Sequence, residues 1–115
     1  MILKTVNSFR HAFRGLKSAY LSDKSFRMEV WATFFVILFA YALWPLSETR
    51  LLFLLLGVSL IYICELINTA FEKALERLHP DRHELIGKSK DIASSAVLVA
   101  VCFTWVVMLI ILFSG

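Results

Sequence analysis

LLFLLLGVSLIYICELINTAF, residues 51–71, is long and apolar enough to cross a bilayer, yet it carries a carboxylate, Glu65. A spanning helix needs roughly 17 to 25 such residues. An ionisable side chain in hydrocarbon is costly, so its presence points to a site rather than to packing. Asn68 and Glu72 follow Glu65 at spacings of three and seven residues. On a helix all three fall within about 60° of one another. The central question is therefore what a carboxylate, an amide and a second carboxylate do where a membrane meets water.

Working outward, two further apolar runs occupy residues 30–46 and 93–113. The chain of 115 residues is 59% hydrophobic and 18% charged, with ten phenylalanines. A soluble domain of this size cannot hide so much apolar surface. The pattern predicts one small all-α membrane domain with three spans, at 29–46, 51–78 (with a cytoplasmic extension) and 82–113. Residues 1–28 are expected to form an interfacial helix and linker. They carry Lys4, Arg10, Arg14, Lys17, Lys24 and Arg27 and no uninterrupted apolar core, so no cleavable signal peptide is expected. Cys64 and Cys102 fall within spans and read as small hydrophobes, without a disulfide.

The basic residues set an orientation. The link between the first two spans holds only Arg50, whereas the link between the second and third holds Lys73, Arg77, Arg82, Lys88 and Lys90. The C-terminal end has none. This alternation puts the N-terminus and the second link in the cytoplasm and Gly115 outside, by the positive-inside rule. The net charge of +3 belongs to lipid-facing loops, and no nucleic-acid signal accompanies it.

Leu3, Val6, Phe9, Phe13, Leu16 and Tyr20 recur at helical steps of three and four. Such a helix lies in the cytoplasmic interface or packs on the chain's own spans. The first span is expected to end at Trp44-Pro45, where proline halts a helix. The second runs past Glu72 and Glu76 to Leu78, and Pro80 breaks it. Asp81-Arg82-His83-Glu84 then reads as a capping box opening the third.

Glu65 and Glu72 stand about 10 Å apart along the helix axis, too far to share one small cation easily. Two duties are more natural: a base deeper in, and a ligand for a hard cation such as Mg²⁺ nearer the cytosol. On the third helix Glu84, Gly87, Lys88, Asp91, Ser94 and Ser95 form a polar face, with Lys90 beside Asp91. A lysine there meets a phosphate as a point charge. These parts suit phosphoryl transfer, which needs mostly positioning and charge neutralisation.

Each residue also has a plainer reading. Glu65 as polar glue between helices is one, though a glutamine would serve more cheaply. Glu72 alone reads as a solvated charge, Asp81 and Glu84 as caps, and Lys90 and Asp91 as snorkelling groups. His79 and His83 have the spacing of a metal pair, but Pro80 between them spoils a shared face. Gly87-Lys88-Ser89 mimics the end of a P-loop, yet Arg82 stands where that loop needs glycine. A kinase built here must use unrelated architecture.

Glu65-Leu-Ile-Asn68-Thr-Ala-Phe-Glu72 followed by His83-Glu84-Leu-Ile-Gly87-Lys-Ser-Lys90-Asp91 resembles the bacterial integral-membrane diacylglycerol kinase family, over nearly the whole chain. The resemblance implies a homotrimeric bundle in the bacterial cytoplasmic (inner) membrane. It implies Mg²⁺-dependent transfer of phosphate from ATP to a lipid hydroxyl, giving phosphatidic acid from diacylglycerol. By the same resemblance Glu65 is the general base, and Asn68 lies beside the reacting hydroxyl. Lys90 and Asp91 contact nucleotide, with Asp81 and His83 on the same loop and Lys4 and His11 at further nucleotide positions. Glu72 binds metal and nucleotide together with an N-terminal acid, and Glu29 and Ser94 join Glu65 on the lipid side.

That N-terminal acid is usually glutamate; here the place is held by Asp23, with Glu29 as the second candidate. The position of His11 is usually an aromatic phenol. Arg82 replaces a neutral residue, and Leu75-Glu76 a valine-aspartate pair. A sister branch phosphorylates undecaprenol and tends to show histidine where this chain has Glu29, and H-P-L where it has His83-Glu84-Leu85. Both differences favour diacylglycerol. Readings of another class are a small proton-coupled multidrug transporter, which also uses an intramembrane glutamate, and a structural subunit of a larger complex.

Overall fold

The computed structural model describes residues 1–78 and 84–114. They form four helices: α1 (Ile2–Ser22), α2 (Lys24–Ala42), α3 (Glu48–Leu78) and α4 (Glu84–Phe113). The last three are long and apolar enough to cross a membrane. The capping box expected at Asp81-Arg82-His83 lies outside the described residues.

The break between α1 and α2 is a single residue. Asp23 is extended, with φ −118° and ψ 112°, and its carboxylate accepts the backbone N–H of Ser25 at 3.0 Å. Aspartate suits this N-cap position because it satisfies one of the donors a helix start leaves orphaned. Arg27 closes the corner from the other side. Its Nη1 donates to the carbonyls of Tyr20 (2.9 Å) and Leu21 (3.1 Å), the orphaned acceptors at the end of α1.

The first span thus opens at Lys24, before the apolar run begins, and α2 ends at Ala42, short of Trp44-Pro45. The residue preceding proline disfavours the helical region, so the chain unwinds before it. Ser47 then caps α3 by accepting the N–H of Arg50 at 3.2 Å. With 31 residues α3 is about 46 Å long, against a hydrocarbon core of about 30 Å. Counted from Glu48, Glu65 lies about 26 Å along this helix, and Glu72 about 36 Å. With the opposite boundary set at Glu48, Glu65 falls just inside the near boundary and Glu72 beyond it.

α3 and α4 pack along their length, and they approach closely at Gly57. A Cβ on that residue would stand 2.6 Å from Thr104 Oγ1 and 3.3 Å from the Thr104 Cα. Thr104 is held in place by donating to the Ala100 carbonyl at 2.9 Å. Gly57→Ala is expected to destabilise the α3–α4 pair by about 1–3 kcal/mol, the usual cost of overpacking. A thermal melt in detergent checks this, and an unchanged midpoint would show that Thr104 yields freely.

Below the site, Leu54, Val107 and Ile111 form a small core against which Val36, Phe39 and Leu43 of the α2 segment pack. Elsewhere the apolar surface is open. α2 buries only Phe26, and the α1 stripe is exposed, with Phe9 at 62% and Phe13 at 67%. Thus α1 does not lay its apolar face on its own spans; it is anchored only near its C-terminal end, where Ala19 is buried. The radius of gyration is 17.1 Å, against about 13 Å for a compact chain of 100 residues. This surface requires lipid or further helices to cover it.

Candidate functional site

The cluster forms where the α1–α2 corner meets the C-terminal half of α3. Glu65, Asn68 and Thr69 are buried on one face of that helix, which accounts for their failure to snorkel. Thr69 Oγ1 donates to Asp23 Oδ2 at 2.5 Å. Because Ser25 holds the other oxygen, both carboxylate oxygens of Asp23 are fixed while each keeps a lone pair. Asn68 Nδ2 approaches Glu72 Oε1 at 3.4 Å, and Lys73 Nζ donates to Ser22 Oγ at 2.6 Å, tying α1 to α3 one turn further out.

Glu65 lies within electrostatic reach of Asp23, Glu29 and Glu72. Two carboxylates far from α3 in the sequence, Asp23 and Glu29, are thus brought to its acidic face. Asp23 stands at the corner, and Glu29 lies about 1.7 turns further along α2. Glu29 also lines a groove of about 340 Å³ with Ile61, Thr104, Trp105 and Met108. The groove runs between α2 and α4, each of which packs on α3. Its walls are apolar apart from the end at Glu29 and the hydroxyl of Thr104.

The donor set is oxygen throughout, which suits a hard cation. Among the described residues no three of His, Cys, Asp and Glu gather as a ready cation cage. A cation held by Asp23 and Glu72 would need its remaining ligands from phosphate or water, which is the habit of Mg²⁺. The amide oxygen of Asn68 is buried without a partner among the described residues. Such groups are rare in folded proteins and invite a donor.

Among the described residues, the other sequence candidates make no hydrogen bond or ion pair to this cluster. Lys4 and His11 are exposed on α1, and α1 makes no close approach to α4 among the described residues. Lys90 is half-buried and Asp91 exposed on the first turns of α4. Ser94 spends its hydroxyl on the Asp91 carbonyl at 3.0 Å. Lys88 pairs with Glu84 at 3.4 Å in an exposed position, where such pairs contribute little. Asp81 and His83 lie outside the described residues.

Several site residues were not evident from the sequence. Thr69 sits inside the α3 motif, but its partner lies 46 positions earlier. Arg27 read only as one of the basic residues that set the orientation. Tyr62 and Thr33, which join α2 to α3 deeper in the span, read as ordinary apolar-run residues.

Residues 10–112 match the family model described as prokaryotic diacylglycerol kinase. The chain is 34% identical over 104 residues to a Haemophilus influenzae protein named diacylglycerol kinase, covering 89% of this chain and 86% of that one. It is 32% identical over 109 residues to the Escherichia coli K12 protein of the same name, covering 92% and 88%. A Helicobacter pylori protein, also so named, is 36% identical over 90 residues, covering 77% and 69%.

Proposed function

This chain belongs to the prokaryotic diacylglycerol kinase family and is a lipid kinase of the membrane, and from that premise we propose that it phosphorylates the free hydroxyl of diacylglycerol with ATP, giving phosphatidic acid. The observation that carries the proposal is the seating of Asp23 on Thr69, in the stretch of α3 between Glu65 and Glu72. It joins an acid suited to metal–phosphate binding to a carboxylate suited to proton abstraction, at the depth where a lipid headgroup meets water.

In this reading the lipid lies with an acyl chain in the groove past Trp105 and its hydroxyl at the Glu29 end. Glu65 takes the hydroxyl proton as the oxygen attacks the terminal phosphorus of ATP, whose bond to the bridging oxygen breaks as ADP leaves. Asn68, with its amide oxygen open, orients a donor beside that centre. Asp23 and Glu72 would hold Mg²⁺, which when bound neutralises phosphate charge. Lys90 and Asp91 face the nucleotide, joined by Asp81, His83, Lys4 and His11. Because α1 and α4 do not meet within one chain, this set is completed by a neighbouring subunit, consistent with a homotrimer. The carboxylate cluster then faces the cytoplasm, with the chain in the inner membrane. The family match leaves the transporter and structural-subunit readings without support.

The test is competition between diacylglycerol and undecaprenol in mixed micelles with labelled ATP. Label is expected predominantly in phosphatidic acid. Preferential labelling of undecaprenol would transfer the proposal to the polyprenol branch, and ATP-independent proton-coupled efflux would end it.

A further inference from the structure

Below the acidic cluster, three oxygen atoms meet inside the membrane. The Thr33 hydroxyl donates to the backbone carbonyl of Glu29 at 2.8 Å. The Tyr62 hydroxyl lies 2.5 Å from Thr33 Oγ1 and 3.3 Å from the same carbonyl. Two protons serve these three contacts, so Tyr62 donates to Thr33 or shares its proton with the carbonyl. Tyr62 is one helical turn deeper than Glu65, about 4.5 Å along α3. A phenol there could reach for the headgroups; instead it turns inward onto α2. A hydroxyl in hydrocarbon without a partner is costly, so the pairing holds the two helices together.

The tie falls on Glu29 itself, the carboxylate at the mouth of the groove. Phe26, the one buried side chain of α2, meets the Tyr62 ring edge-on with centroids 5.8 Å apart. At the other end Asp23 is seated on Thr69. The first turns of α2 are thus fastened to α3 at two polar points, Tyr62 and Thr69, and Glu65 lies between them.

We propose that Tyr62 and Thr33 are positioning residues for the lipid: through the carbonyl of Glu29 they fix how far its carboxylate stands from Glu65 at the groove mouth. The inference rests on the lipid-kinase reading above and deepens it, because it assigns the setting of lipid affinity to a hydroxyl pair outside the reacting groups. A residue that only stabilised the fold would change ATP and lipid kinetics alike. A residue acting through Glu29 changes lipid kinetics alone.

The full chain in mixed micelles provides the test. Tyr62→Phe and Thr33→Val are expected to raise the KM for diacylglycerol roughly 3- to 10-fold, the weight of one hydrogen bond, with the KM for ATP unchanged. The double variant should be no worse than the poorer single one, since both cut the same tie. Thr33→Ser, which keeps the hydroxyl, restores the wild-type value. In a Glu29→Gln background Tyr62→Phe adds no further rise.

Amide exchange supplies a readout independent of turnover. Residues 24–33 should exchange faster in Tyr62→Phe, with α4 unchanged. Unaltered exchange in that segment overturns the tie. An unmoved lipid KM, a parallel rise in both KM values, or full additivity with Glu29→Gln overturns the positioning role. If exchange rises as expected but the wild type phosphorylates undecaprenol and not diacylglycerol, the substrate assignment fails while the tie stands, and the same KM comparisons are made with undecaprenol.

Discussion

Glu65→Gln is expected to lower lipid phosphorylation by about 10²- to 10⁴-fold, the range over which a positioned base contributes. Glutamine has nearly the same shape and keeps hydrogen-bonding capacity, so the buried α3 face is not broken. The substitution also removes a carboxyl group from a cluster in which Asp23, Glu29 and Glu72 all act on Glu65. Like charges held close oppose folding. The variant should therefore assemble normally and melt no lower than wild type. A loss of activity with an unchanged or raised midpoint identifies a chemical role. Wild-type turnover in Glu65→Gln would remove the base and leave Glu65 as a packing residue.

Asp23→Asn is expected to cost on the order of 100-fold in activity, since loss even of an outer-shell partner of a metal ligand costs 10- to 100-fold. The choice of asparagine separates two duties. Asn caps a helix about as well as Asp, so the Ser25 N–H and the corner between α1 and α2 are retained. What is lost is the negative charge. The Mg²⁺ concentration for half-maximal activity should rise, and Mn²⁺ binding measured by electron paramagnetic resonance should weaken in the absence of ATP. Thr69→Val, which leaves the carboxylate but removes its donor, should produce a smaller shift of the same kind. If Asp23→Asn binds Mn²⁺ like wild type, Asp23 is a cap and no more, and Glu29 takes its place as the N-terminal ligand.

What the sequence made legible follows from its periodicities. Three apolar runs gave three spanning helices, because run length and hydrophobicity are local quantities. The α3 face was equally clear, since Glu65, Asn68 and Glu72 share a helix and their angular relation follows from spacing alone. The ends of α2 were less so. Lys24 and Arg27 read as loop charges, but Asp23 caps the helix ahead of them, so α2 starts before its apolar residues do. The least legible features join distant positions. Thr69 with Asp23, and Tyr62 with Thr33, are pairs separated by 46 and 29 residues. A hydroxyl in an apolar run carries no sign of its partner until the helices are set side by side. Lys90 shows the reverse case: its chemistry was evident, yet among the described residues no ion pair joins it to the carboxylates.

The proposed chemistry requires the acidic end of α3 to face the compartment that holds ATP. Glu76 is exposed, one turn beyond Glu72, and lies outside the proposed machinery. Glu76→Cys, in a chain with Cys64 and Cys102 replaced by serine, should react with a membrane-impermeant maleimide only in inside-out vesicles. Labelling in right-side-out cells would place Glu72 and Asp23 outside, beyond the reach of cytoplasmic nucleotide, and would contradict the account.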